Sequence, residues 1–144
     1  MKRFLVIGNP IEQSLSPCLH NWVFKCLGID AIYKKSKVQE NAIISIINRI
    51  RTDSLDGINV TIPHKQSIMH LLDDINPRAK AIGAVNCVMK KKSKIIGNNT
   101  DWYGFIIALQ KNKIDLSNKE IIILGAGGAA KSIIFALDKI GIKK

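Results

Sequence analysis

Ile58, Val60 and Ile62 alternate with Asn59 and Thr61 between Gly57 and Pro63, the period of two that gives a strand one apolar and one polar face. Glycine opens this stretch and proline closes it, because proline donates nothing to a sheet ladder. Lys65 then stands just past a strand end, and Lys65–Leu72 reads as a helix. Upstream, Arg3–Gly8 is a short continuous apolar run closed by glycine, the mark of a buried parallel strand. Leu19, Trp22, Val23, Cys26 and Leu27 recur at helical spacing before Gly28, and Ser16-Pro17 offers an N-cap and a first helical residue. Ala31–Val38 reads as a second, more exposed strand, and Ala42–Ile50 as an apolar-rich helix. The resulting β-α-β-α-β-α order predicts a parallel α/β sheet.

The later pattern is more broken. After Asn76-Pro77 and Ala79–Ala84, Val85–Met89 reads as a strand that returns through Ile95-Ile96-Gly97. A helix with apolar content follows Asn98-Asn99-Thr100-Asp101, and Asn112–Asn118 is polar and loop-like. Glu120–Leu124 then reads as a buried strand, and Gly125-Ala126-Gly127-Gly128-Ala129-Ala130 turns into a helix over Lys131–Ile140.

At 144 residues and 47% hydrophobic, the chain is about one domain long and holds a substantial core. Its net charge of +11 comes from 22 basic and 11 acidic residues. The lysines are scattered and not interleaved with aromatics, and the cluster Lys90-Lys91-Lys92 with Lys94 falls in a hairpin turn, which argues against nucleic acid as a partner. No apolar run reaches the roughly 18 residues of a membrane span, and Phe4–Ile7 is too short for a secretory segment. The expectation is a cytoplasmic protein with no membrane partner. Cys18 and Cys26 would lie about 12 Å apart on one helix, beyond disulfide reach. The three histidines and three cysteines show no metal-ligand spacing, so no metal is expected.

Ser14, Ser16 and Lys65 all follow strand ends, where α/β sheets gather ligands. Two hydroxyls beside a helix N-terminus can hold a polar or anionic small molecule, although Ser16 also suits a plain capping role. Lys65 is either a solvated lysine or a proton donor. Asn86 either ends a turn or aims its amide at the same pocket, and Asp101 either caps the next helix or holds the Lys65 ammonium. Gly125-x-Gly127-x-x-Ala130, after a strand and before a helix, has the context of a dinucleotide fingerprint. Its glycines allow close approach of a pyrophosphate to the helix N-terminus.

Taken in order, Ser14-Leu15-Ser16-Pro17, Asn59-Val60-Thr61-Ile62-Pro63-His64-Lys65, Gly83-Ala84-Val85-Asn86, Asn98-Asn99-Thr100-Asp101 and Gly125-Ala126-Gly127-Gly128-Ala129 resemble the N-terminal half of shikimate dehydrogenase. The resemblance implies a mixed, mainly parallel α/β sandwich followed by the first βα unit of a Rossmann-like nucleotide-binding domain. It divides the chain into residues 1–100, for substrate binding and catalysis, and residues 101–144, a linker helix and the start of the NADP-binding part. It implies NADPH-dependent reduction of 3-dehydroshikimate to shikimate in aromatic amino-acid biosynthesis. Lys65 becomes the acid/base residue with Asp101 as its partner. Ser14, Ser16, Asn59, Thr61, Lys65, Asn86 and Asp101 bind the substrate, and Gly125, Ala126, Gly127, Gly128 and Ala129 the cofactor. Ser132 stands where the family pattern has alanine, a small change expected to be silent. Family members run on for roughly as many residues again, so the NADP-discriminating positions lie past Lys144. The alternative is a non-catalytic remnant that binds a shikimate-type ligand without a competent cofactor site. Quinate as a second substrate and a homodimer both stay open.

Overall fold

The computed structural model describes residues 1–142. Its sheet has six strands: β1 (Lys2–Gly8), β2 (Ala31–Lys37), β3 (Gly57–Val60), β4 (Asp74–Ile75), β5 (Cys87–Lys91) and β6 (Lys94–Asn98). They lie in the order β2-β1-β3-β5-β6-β4. The pairings β1–β2, β1–β3 and β4–β6 are parallel, and β3–β5 and β5–β6 are antiparallel. The mixed, mainly parallel α/β architecture is the expected one.

Helices α1 (Ser16–Cys26) and α2 (Ile43–Arg51) cover opposite faces of the sheet. In α2, Ile43, Ile46, Ile47 and Ile50 are all buried, the i, i+3, i+4, i+7 stripe of an amphipathic helix. They pack with Leu5, Ile7, Ile58, Val60, Val88 and Ile95 into the main core. The opposite face of β1 and β2 buries Val6 and Tyr33, with Phe4 and Phe24 packed alongside. Alternation along β3 therefore aims Ile58 and Val60 at α2 and leaves Asn59 on the α1 side.

Helix α1 departs from its apolar pattern. Leu19, Trp22 and Leu27 are exposed, and none of its residues is buried. Asn21 holds it instead: the side chain donates to the Tyr33 carbonyl and accepts from the Tyr33 N–H, both at 2.8 Å. Those two bonds also satisfy backbone groups of the edge strand β2. His20 stacks on the Tyr33 ring with centroids 4.3 Å apart.

Other boundaries moved for identifiable reasons. β3 ends at Val60 rather than Ile62, because the chain leaves the sheet once the Thr61 N–H has bonded to the Ile7 carbonyl. Ile62 is exposed. Residues 65–72 form no α-helix; turns lead into a 3-10 helix over Ser67–Leu71. The helix after Asn76 is α3 (Pro77–Ile82), with the Asn76 side chain accepting from the Arg78 N–H and Gly83 closing it in the left-handed region. Strand β4 is too short to leave a period in the sequence.

The largest correction concerns Glu120–Leu124, which forms no strand. A strand needs a ladder partner, and these residues pair with none of the six. Ile122 and Leu124 are 85% and 93% exposed. Beyond them α5 (Gly128–Lys139) packs against α3 and α4 (Asp101–Lys111) and buries Ala130, Ser132, Ala136 and Leu137. Among the described residues no helix is long and apolar enough to cross a membrane.

Candidate functional site

The exit of β3 is held from several sides, and this fixes Lys65. Buried His64 donates from Nε2 to the Val38 carbonyl at 2.7 Å. The Lys65 carbonyl accepts from the Val85 N–H at 2.7 Å. Its side chain, only 14% exposed, reaches Asp101, and Nζ donates to Asp101 Oδ2 at 2.7 Å. Of the two readings of Asp101, the geometry favours the ion pair. Asp101 is the first residue of α4, and the Thr100 side chain makes no capping bond.

Asn86 immobilises the other half of that carboxylate. It is buried just ahead of β5 rather than in it. Its Nδ2 donates to Asp101 Oδ1 at 2.7 Å, and its Oδ1 accepts from the Thr100 N–H at 3.0 Å. With each oxygen bonded to a different donor, the Asp101 carboxylate cannot swing away from Lys65 without breaking a charge-assisted hydrogen bond. Asn59 joins the same network: Nδ2 donates to the Asn86 carbonyl at 3.2 Å, and Oδ1 accepts from the Tyr33 hydroxyl at 2.7 Å. Burial pushes the Tyr33 phenol well above its ordinary range, which keeps it a neutral donor. Cys87 shares this side of the sheet. Burial first, and the Asp101 charge second, push its thiol up, so it is a poor nucleophile.

Ser14, Ser16 and Thr61 gather separately, around a cleft of about 400 Å³ that Pro10, Ile11 and Ile62 also line. Ser16 opens α1 without acting as its cap; Leu15 holds that position and no side chain caps the helix. Both serines are partly exposed, and Ser14 Oγ accepts from the Ser16 N–H at 3.4 Å. Strand β3 and its exit join this hydroxyl cleft to the Lys65–Asp101–Asn86–Asn59 network. The close approach needs Gly8: a Cβ there would stand 2.5 Å from Thr61 Cγ2 and 2.9 Å from the Ile62 carbonyl oxygen.

The glycine turn lies beside this site and faces outward. Gly125 has φ +111, a backbone region that suits glycine. A Cβ at Gly125 or Gly127 would meet nothing within 4 Å, and no side chain caps α5. Residues 125–127 and Ala129 are exposed. Gly128 is different, because a Cβ there would stand 2.9 Å from Lys65 Cβ. The start of α5 therefore rests on the Lys65 stem.

Sequence reading missed Gly8, Tyr33 and Asn99 as parts of the site. Ser132, expected to be silent, is fully buried and hydrogen-bonded to Asn99. Gly8 closes the first expected strand and Asn99 lies inside a motif, but nothing in a one-dimensional pattern shows which side chains meet. Among the described residues no cluster of His, Cys, Asp and Glu is arranged to hold a metal ion.

Residues 6–88 match the family described as the shikimate dehydrogenase substrate binding domain. The chain belongs to that family. Over 143 residues, 99% of this chain, it is 46% identical to shikimate dehydrogenase (NADP(+)) of Pelagibacter ubique (strain HTCC1062), covering 54% of that protein. Shikimate dehydrogenase 1 from Peptoclostridium difficile superposes with a TM-score of 0.94 at 36% identity, over 100% of this chain and 55% of that one. The Thermus thermophilus shikimate 5-dehydrogenase, solved in complex with NADP(H) and shikimate, gives 0.91 at 36% identity over 99% of this chain and 54% of that one. The chain spans about half the length of the shikimate dehydrogenases it matches.

Proposed function

We propose that this chain carries the substrate-binding and proton-transfer half of an NADP-dependent shikimate dehydrogenase, which reduces 3-dehydroshikimate to shikimate. The observation that carries the reading is the 2.7 Å Lys65–Asp101 pair, locked by Asn86 at the exit of a strand whose neighbours Ser14, Ser16 and Thr61 line a cleft. Residues 1–100 supply the substrate side, and residues 101–144 a linker helix and the beginning of the nucleotide-binding part.

Reduction of the C3 carbonyl builds negative charge on its oxygen. Lys65 gives that oxygen a proton and a nearby positive charge. An ammonium has three donors; Asp101 takes one, which sets the direction of the others. Asn86 holds Asp101, and Asn59 braces Asn86 while keeping one Nδ2 hydrogen for the substrate. The hydroxyls of Ser14, Ser16 and Thr61 suit the carboxylate and hydroxyls of a shikimate-type ligand.

The open, uncapped turn fits a pyrophosphate of NADP at the N–H groups of Gly125, Ala126, Gly127, Gly128 and Ala129. NADPH, when bound, supplies the hydride. A second reading, ligand binding without turnover, draws on the unpaired residues 120–124. The two are separated by joining this chain to the second half of a full-length relative. NADPH consumption that depends on 3-dehydroshikimate is expected, and its absence in a folded fusion that still binds shikimate would favour the second reading.

A further inference from the structure

We propose that Asn99 and Ser132 are positioning residues that tie α5, the helix after the glycine turn, to the Lys65–Asp101 pair. The inference rests on the shikimate-site reading above and assigns to that site two residues that do not line the Ser14–Ser16–Thr61 cleft.

Asn99 is 2% exposed and Ser132 0%. Buried polar side chains are retained with partners, and here the partners form a chain into the site. Ser132 Oγ donates to the Gly128 carbonyl at 2.9 Å and accepts from Asn99 Nδ2 at 3.0 Å. The other Nδ2 hydrogen of Asn99 goes to the Ala84 carbonyl at 2.9 Å. Asn99 Oδ1 accepts from the Asp101 N–H at 3.0 Å. Both amide hydrogens and the amide oxygen are thus used, so the Asn99 side chain has one orientation.

That orientation matters for Asp101. As a first-turn residue it has an N–H with no partner inside its own helix, and Asn99 Oδ1 supplies one. The Asp101 backbone is pinned on one side by Asn99, while its carboxylate is pinned by Asn86 and Lys65. Removing the Ser132 hydroxyl leaves a buried Asn99 N–H without an acceptor. The amide then turns to find another, and Asp101 loses its anchor.

Helix α5 also reaches the other member of the pair. A Cβ at Gly128 would stand 3.1 Å from Lys65 Cδ, and Lys131 Nζ donates to Gln66 Oε1 at 2.6 Å. One helix therefore sets Lys65 by contact and Asp101 through Ser132 and Asn99.

The test is a double-mutant cycle on the 144-residue chain, read as shikimate affinity by calorimetry for wild type, Ser132→Ala, Asp101→Asn and the double variant. Ser132→Ala is expected to weaken binding about threefold or more in the wild-type background and less than about twofold once Asp101 is asparagine, because residues in one network are not additive. The same factor in both backgrounds would mean a merely structural role and overturn the proposal. If Ser132→Ala does not fold, Ser132→Cys, similar in size but a weaker hydrogen-bonding partner, takes its place in the cycle. A folded wild type that binds no shikimate would refute the shikimate reading instead. Exchange of the Asp101 amide hydrogen then decides the inference without ligand. About tenfold faster exchange in Ser132→Ala, with β1 amides unchanged, supports it, and unchanged Asp101 exchange overturns it.

Discussion

Lys65→Ala is expected to cut NADPH-dependent reduction of 3-dehydroshikimate by about 10²–10⁴-fold, the usual loss when a positioned general acid is removed. The assay requires the chain joined to the second half of a relative. The expectation follows from the geometry of one side chain. Lys65 is largely buried along its stem, its ammonium is fixed 2.7 Å from Asp101 Oδ2, and its backbone is tied to Val85. Water cannot take up the same place with the same charge. The fold should survive, because Lys65 belongs to neither buried apolar cluster. Turnover within about tenfold of wild type would remove Lys65 from the acid role, since general acids contribute more than that.

The 144 residues on their own are expected to show no shikimate oxidation with NADP⁺ above background. Residues 120–124 pair with none of the six strands, and their exposed Ile122 and Leu124 side chains leave apolar surface that invites association. The proposed reading seats a pyrophosphate at the glycine turn and assigns no residue among 1–142 to the nicotinamide ring. Reacting atoms must be held about 3–3.5 Å apart for the rate gains of proximity. The assay is run beside size-exclusion chromatography as a function of concentration. Robust turnover by a monomer would show that this account of the nucleotide half is wrong.

The parts of the fold visible in the sequence are those with a periodic signal. Ile58 and Val60 alternate with Asn59, and Ile43, Ile46, Ile47 and Ile50 repeat at helical spacing; both patterns became core. Helix α1 has the same kind of pattern, yet its Leu19 and Trp22 face outward, because periodicity marks an apolar face without saying what covers it. Glu120–Leu124 stays outside the sheet for a related reason. Composition makes a segment fit for a strand, but a neighbouring strand has to complete it, and these residues have none. In the site, the motifs marked Lys65, Asn86 and Asp101. The structure brings them together across gaps of 21 and 15 residues (86−65 and 101−86). Tyr33 and the Asn99–Ser132 bond stayed out of sight, since one long-range polar contact between buried side chains leaves no repeat to detect.

The most direct test of the central claim, that residues 14–101 hold a shikimate site built on the Lys65–Asp101 pair, is a shikimate titration of the isotopically labelled chain followed by NMR. Saturable shifts are predicted at Ser14, Ser16, Asn59, Thr61, Lys65, Asn86 and Asp101, and the same titration of Lys65→Ala should show markedly weaker binding. Shifts centred elsewhere, such as the separate cleft lined by Ile106, Leu109 and Leu116, or no saturable shift in a folded chain, would contradict it.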